Sequence, residues 1–534
     1  MAHEIDILPD DPALLKQKLN EQIVKYQTLK VKYQTKEAEY RKLEEKHLTL
    51  VRKFFGTRSE KLTPKDKSQG RLFNEAEDGH GVTEDDAHKE NVPVTTVKAH
   101  ERKKRGRKPL PDDLPREEII HDISDEEKRC HCCGSSRPFI GTEESEELDI
   151  VPAKVTVLHH IKRKYGPCGC DGFLHSGETE VVTAPAPERM IPGSIASPGL
   201  LAYAIVSKFA DALPFYRQSK IFQRIGVDIS RATMCNWAIG AHERMSRLFE
   251  VFIDEMKKGA FMRMDETTVQ VLHEEGRRPE SKSYMWVSIG YPARGRPLVL
   301  FQYHPSRSRD IPHAFLDGFK GYLQTDGYDG YNLAAERDGI IHVGCFAHAR
   351  RYFFDAAKLN KKDSRAHRAL EYIRTLYEIE NRLRVQELTT DKFVEKRKKE
   401  AIPVIDEFHS WLTRIGPEVV PSSKTGQAIA YTLKEWGKLI RYLDADFLTP
   451  DNNETERAIR PFVIGRKNWL FSNAPRGAHA SASMYSLVES AKANKIEPYQ
   501  YLRFLFTNLP FISDRDELRM LLPCHITQQQ LLLA

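Results

Sequence analysis

The chain has 534 residues, 40% hydrophobic and 30% charged, with 82 Lys and Arg against 76 Asp and Glu and a formal net charge of +6. That length and apolar content exclude a small or wholly disordered chain and predict several domains. No run of eighteen apolar residues exists, and the start is neither basic nor followed by an apolar stretch, so neither a membrane-spanning helix nor a signal peptide is expected.

Residues 12–55 repeat Leu15, Leu19, Gln22, Tyr26, Leu29, Tyr33, Lys36, Tyr40, Leu43, His47, Leu50 and Phe54 in alternating steps of four and three. Mostly apolar and set in a charged background, this heptad predicts a coiled coil through which the chain self-associates. Residues 56–116 read as a linker. Within it Arg105, Arg107 and Lys108 belong to a basic run in which Arg105-Gly106-Arg107 has the form of an AT-hook, able to lie in a narrow minor groove.

Five of the eight cysteines fall between Cys130 and Cys170. Cys130 with Cys133, and Cys168 with Cys170, form two thiolate pairs about 35 residues apart, suited to structural zinc in a module spanning 117–182. The second pair is C-x-C and therefore tighter. This clustering points to a metal site in a reducing compartment, not to a disulfide framework.

Residues 190–250 read as helical. Phe215, Ile221 and Phe222 space one helix, Gly226 provides a turn, and Ser230 caps a second helix beginning Arg231-Ala232-Thr233. That is the form of a helix-turn-helix, with Arg231, Thr233 and Asn236 as candidate DNA contacts.

From 258 to 350 strands are expected at 260–272, 284–291, 298–303 and 322–325, with a helix near 311–319. Asp265 falls inside the first strand, where an unpaired carboxylate is costly and metal binding compensates for it. Strand alternation sends its neighbour Glu266 to the opposite face. Asp326 closes the last of these strands, and Asp329 reads as a turn residue. Residues 351–446 read as a charged, amphipathic helical stretch, and 451–530 as short helices.

The third acid is a choice between Glu454 and Glu456. With Asp451 as N-cap, Glu454 occupies the return position of a capping box and has a structural use. Glu456 then shares a helix face with Asn453 and Arg460, and Pro461 ends the short helix. Asp265, Asp326 and Glu456 thus read as a D-D-E set for Mg²⁺ or Mn²⁺, two ions about 3.5–4 Å apart serving phosphodiester cleavage and transfer. Arg460, Arg466 and Lys467 are candidate contacts to the DNA backbone, and His348 and Arg351 are secondary candidates near the site.

These segments together resemble the TnpC-type transposases of the insertion-sequence-sixty-six family, bacterial DDE enzymes. The resemblance rests on Phe55-Gly56-Thr57-Arg58-Ser59-Glu60-Lys61, on Arg105 through Pro111, and on the cysteine module and the Leu213-Pro214-Phe215-Tyr216-Arg217 region. It continues in Asp265-Glu266-Thr267, Thr325-Asp326-Gly327-Tyr328, Gly344 through Arg351, and Asn452-Asn453 through Pro461 followed by Gly465 through Phe471. Pro498-Tyr499 with Tyr501-Leu502 completes it.

The resemblance implies a multidomain α/β chain: coiled coil, zinc-ribbon-like module, helix-turn-helix, and an RNase H-like core at 258–350 and 447–490. The core is interrupted by a helical insertion at 351–446 and followed by a C-terminal helical segment at 491–534. It also implies Asp265, Asp326 and Glu456 as the triad. The partners implied are the element's terminal inverted repeats, target DNA and helper proteins of the same element, in the nucleoid of a bacterial cytoplasm. The competing expectation is a catalytically inactive DNA-binding regulator derived from such an enzyme.

Overall fold

The heptad segment forms one continuous helix, α1 (Pro12–Phe55), 44 residues long and, at 1.5 Å per residue, about 66 Å in length. Leu19, Tyr26, Leu29, Tyr33, Tyr40 and Leu43 on it are all exposed. The computed structural model describes residues 12–55, 155–165, 182–185, 188–292, 296–360 and 363–532. Residues 60–185 form a unit separate from the remainder. Its described part is an antiparallel pair, β1 (Lys164–Tyr165) with β2 (Val182–Thr183). The basic segment carrying Arg105, Arg107 and Lys108, and the zinc candidates Cys130, Cys133, Cys168 and Cys170, lie outside the described residues.

In the larger unit, α2 (Pro198–Phe209), α3 (Phe215–Arg224), α4 (Arg231–Arg244) and α5 (Ser246–Lys257) precede the sheet. The turn between α3 and α4 needs Gly226 at φ +80°, a conformation that costs glycine little. Ser230 Oγ accepts the Thr233 N–H at 3.0 Å and caps α4. Phe215, Phe222, Met234 and Trp237 are buried, and two helices joined by a glycine turn form over these residues. Its second helix runs on to Arg244, well past Trp237.

A five-stranded mixed sheet follows, in the order β5-β4-β3-β6-β7. Its strands are β3 (Phe261–Gln270), β4 (Lys282–Gly290) and β5 (Leu298–His304), then, after the short helix α6 (Asp310–Phe315), β6 (Gly321–Gln324). The helix α7 (Asn332–Ala335) leads to β7 (Ile340–Val343). β5, β4 and β3 pair antiparallel; β3, β6 and β7 pair parallel. β7 had no expectation from the sequence: Ile340-Ile341-His342-Val343 is too short to set a period.

Four longer helices then follow: α8 (Phe346–Leu359), α9 (Ser364–Arg384), α10 (Thr390–Ile415) and α11 (Lys424–Leu439). They share a core with Phe261 and Val343. Buried Arg397 on α10 ties this layer to the chain that leaves it, donating to the Tyr442 and Ala445 carbonyls, each at 2.7 Å, and to Leu448 O at 3.1 Å. Its charge is met by Glu380 Oε1 at 2.7 Å.

The last part contains α12 (Asn453–Trp469), α13 (Pro475–Ala493), α14 (Pro498–Asn508), α15 (Arg515–Met520) and α16 (Gln528–Leu532). α12 and α13, at 17 and 19 residues, exceed the short helices expected here. Pro461 does not end α12. Interior proline costs about 3 kcal/mol, and the next residue offsets it: Phe462 is fully buried and meets Phe301, Trp469 and Tyr485 at ring distances of 6.1, 5.5 and 5.2 Å. α13 is lined with Ala and Ser and lies against edge strand β5, whose Val299 and Phe301 N–H groups donate to Ser490 Oγ and Ser486 Oγ at 2.8 Å each. Edge-strand donors that would otherwise be orphaned are thereby satisfied.

Candidate active site

Two parallel neighbours set the site. β3 and β6 pair through Arg263↔Gln324, and both chains then advance by two residues, to Asp265 and Asp326. Adjacent strands lie about 4.8 Å apart, so the register alone brings these two carboxylates side by side. Asp265, Glu266 and Asp326 each offer an oxygen within 4.8 Å of the others. Glu266 therefore does not point away from the pair as alternation suggested. β6 covers β3 only over Phe261–Arg263, leaving the flank beyond open, and the longer glutamate reaches the acids there.

The charges are crowded and half-buried. Burial, with Glu266 and Asp326 close by, holds the Asp265 carboxyl well above its usual range; His348 and the Glu266 N–H oppose the shift. Asp265 Oδ1 accepts that N–H at 2.8 Å. Asp326 Oδ1 accepts the Tyr328 N–H at 3.0 Å. Burial and Asp326 also raise the Glu266 carboxyl, although Glu266 accepts from Tyr331 Oη at 2.5 Å and from Arg307 Nε at 2.7 Å. Three hard oxygen donors, with Asp265 and Glu266 raised in proton affinity, are a donor set for a hard divalent cation.

Glu456 arrives on the first turn of α12. Buried Arg263 donates to Asp451 O at 2.9 Å and to Thr449 Oγ1 at 3.0 Å. Buried Asn452 donates from Nδ2 to Met264 O at 3.1 Å, and its backbone N–H meets Cys345 Sγ at 3.2 Å. These bonds anchor the start of α12 to β3 beside Asp265. Asn452, not Asp451, is the N-cap residue, and no capping box forms. Glu454 instead accepts from Tyr291 Oη at 2.5 Å and lies 3.6 Å from Arg263 Nε, so it serves packing through other partners. Glu456 Oε1 lies 3.7 Å from Arg351 Nη2, while Oε2 is buried without a hydrogen-bond partner. Burial raises its carboxyl against the pull of His348, Arg351 and Arg460. His348 thus acts on both Asp265 and Glu456. Glu456 is not one of the three acids whose oxygens converge; Glu266 takes that place. The Oδ1 of Asn453 is likewise buried without a partner.

The DNA-contact candidates divide. Arg231 and Asn236 are exposed on α4, and Lys467 is exposed on α12. The Thr233 hydroxyl is 2.9 Å from Ser230 Oγ and belongs to the cap. Arg466 Nη1 donates to Thr268 O and lies 3.1 Å from Thr268 Oγ1, tying α12 to β3. The sequence reading missed Glu266, Arg307, Tyr328 and Tyr331. Tyr328 and Tyr331 stand just after Asp326 and were in view; nothing in the spacing of Arg307 linked it to the acids.

Family models match along the chain. Transposase IS66 family matches residues 193–480, and the IS66 C-terminal element matches 486–524. The zinc-finger binding domain of transposase IS66 matches 127–171, and Transposase C of IS166 homeodomain matches 42–119. Among curated proteins, the uncharacterized protein y4qI of Sinorhizobium fredii is 31% identical over 487 residues, 89% of this chain and 87% of its own. The uncharacterized protein y4jD of the same organism is 32% identical over 406 residues, 74% of this chain and 76% of its own.

Proposed function

Because the chain belongs to the transposase IS66 family, we propose that it cleaves DNA at the ends of its own insertion element and joins the freed 3′ ends to target DNA. The observation carrying this reading is the register that sets Asp265 beside Asp326 at the ends of parallel strands. The sheet, three antiparallel strands continued by two parallel ones, supports the RNase H-like core, with α8–α11 as the helical insertion before Glu456.

Asp265 and Asp326 would hold Mg²⁺ or Mn²⁺, with Glu456 as third ligand; its buried, unpartnered Oε2 suits that role. When bound, the ions supply Lewis-acid stabilisation for the attacking and leaving oxygens of the phosphodiester. The protein fixes the acids: Arg263 and Asn452 lock α12 to β3, and His348 and Arg351 balance the charge of Glu456. Arg231 and Asn236 would touch DNA from α4. The thiolates Cys130, Cys133, Cys168 and Cys170 fall inside the zinc-finger match and would hold structural zinc.

The test is a cleavage and joining assay on labelled DNA carrying the element's ends. Wild-type protein should give 3′-hydroxyl ends and joined products with Mg²⁺ and none with EDTA. Bound ends without products would leave a DNA-binding regulator.

Self-association is proposed to run through α1. Its apolar row, Leu19, Tyr26, Leu29, Tyr33, Tyr40 and Leu43, is exposed, and a second copy would cover it. Leu29→Asp together with Leu19→Asp is expected to give monomers by light scattering. An unchanged mass would move the interface elsewhere.

A further inference from the structure

Arg307 lies against the acidic cluster, yet 39% of its side chain is open to solvent. Its Nε donates to Glu266 Oε1 at 2.7 Å, and Nη2 donates to the same oxygen. Its guanidinium carbon stands 3.8 Å from the centroid of the Tyr328 ring. The Tyr328 hydroxyl donates back to the Arg307 carbonyl, and the Tyr328 N–H donates to Asp326. The fork is thus held by a carboxylate and by an aromatic face, and that face is tied to Asp326. Nη1 has no hydrogen-bond partner among the described residues.

An arginine that only neutralised Glu266 would engage both carboxylate oxygens. Here the second oxygen is taken by Tyr331 at 2.5 Å, and part of the guanidinium remains unspent. A pre-positioned planar fork with open N–H groups matches phosphate geometry.

We propose that Arg307 is a catalytic residue that binds a non-bridging oxygen of a DNA phosphodiester at the Asp265/Asp326 site, with Glu266 and Tyr328 holding its guanidinium in place. This rests on the DNA reading of the site, but its test requires no chemistry. Full-length wild type, R307Q, R307K, E266Q and E266Q/R307Q are titrated in Ca²⁺ with a duplex carrying the element's terminal repeat. Single neutral methylphosphonates replace each of the last phosphodiesters in turn.

Wild type and E266Q should lose about tenfold or more in affinity at one position, the scale of a charge-assisted hydrogen bond. R307Q and E266Q/R307Q should bind more weakly and show no loss at that position; R307K should recover part of the dependence. Restoration of full affinity in E266Q/R307Q would mean that Arg307 only neutralises Glu266, and would overturn the proposal. So would the same position dependence with and without Arg307. Failure of the transposase reading shows elsewhere, as wild-type protein that makes no metal-dependent product.

Discussion

Asp265→Asn is expected to abolish metal-dependent strand cleavage, by on the order of 10³-fold or more, while making the metal-free protein more stable. The two effects share one cause. Asp265 is half-buried with Glu266 and Asp326 beside it, and its carboxyl is held well above the usual range. Without a cation that crowding opposes folding, and an amide of the same shape relieves it. With a cation the same charge is what binds, and a loss of about 4 kcal/mol in transition-state stabilisation corresponds to the rate effect. Mg²⁺ should therefore raise the melting temperature of wild type and leave Asp265→Asn unmoved. Element-end binding should persist, because the proposed contacts on α4 are separate. A variant that is less stable without metal, or still cleaves, would show that Asp265 is a packing residue.

The second large effect is on stability. Arg397 is fully buried and serves Glu380 together with the carbonyls of Tyr442, Ala445 and Leu448. Arg397→Ala leaves those carbonyls without this donor and Glu380 with Arg384 alone, whose Nε lies 2.8 Å away. Removing one partner of a buried pair costs about 3–5 kcal/mol. The affected chain runs directly into Thr449, Asp451 and Asn452, which anchor α12. The account therefore expects a large drop in urea midpoint together with loss of cleavage. Near-wild-type stability would mean that α8–α11 do not brace the Glu456 helix.

Local chemistry explains what the sequence disclosed. Asp265 and Asp326 were legible because each stands in an apolar, β-rich setting next to a turn, and the α3–α4 pair because glycine and serine mark its turn and cap. The expectations that failed depended on partners distant in sequence. Pro461 passes through α12 because Phe462 finds a pocket made by Phe301 and Tyr485. Glu454 abandons the capping box for Tyr291 and Arg263. Arg466, basic in sequence, also spends its Nη1 on Thr268. Glu266 joins the acids because β6 stops short along β3, a fact of register that alternation along a single strand does not contain.

Glu266 and Glu456 therefore compete for the third position, and one measurement decides between them. Cleavage of labelled element ends in Mg²⁺ is compared for wild type, Glu456→Gln and Glu266→Gln. The proposed site predicts no product from Glu456→Gln and product from Glu266→Gln within about tenfold of wild type, the scale of a disturbed Arg307 contact. Product from Glu456→Gln with none from Glu266→Gln would contradict the account and place the metal site on Asp265, Glu266 and Asp326.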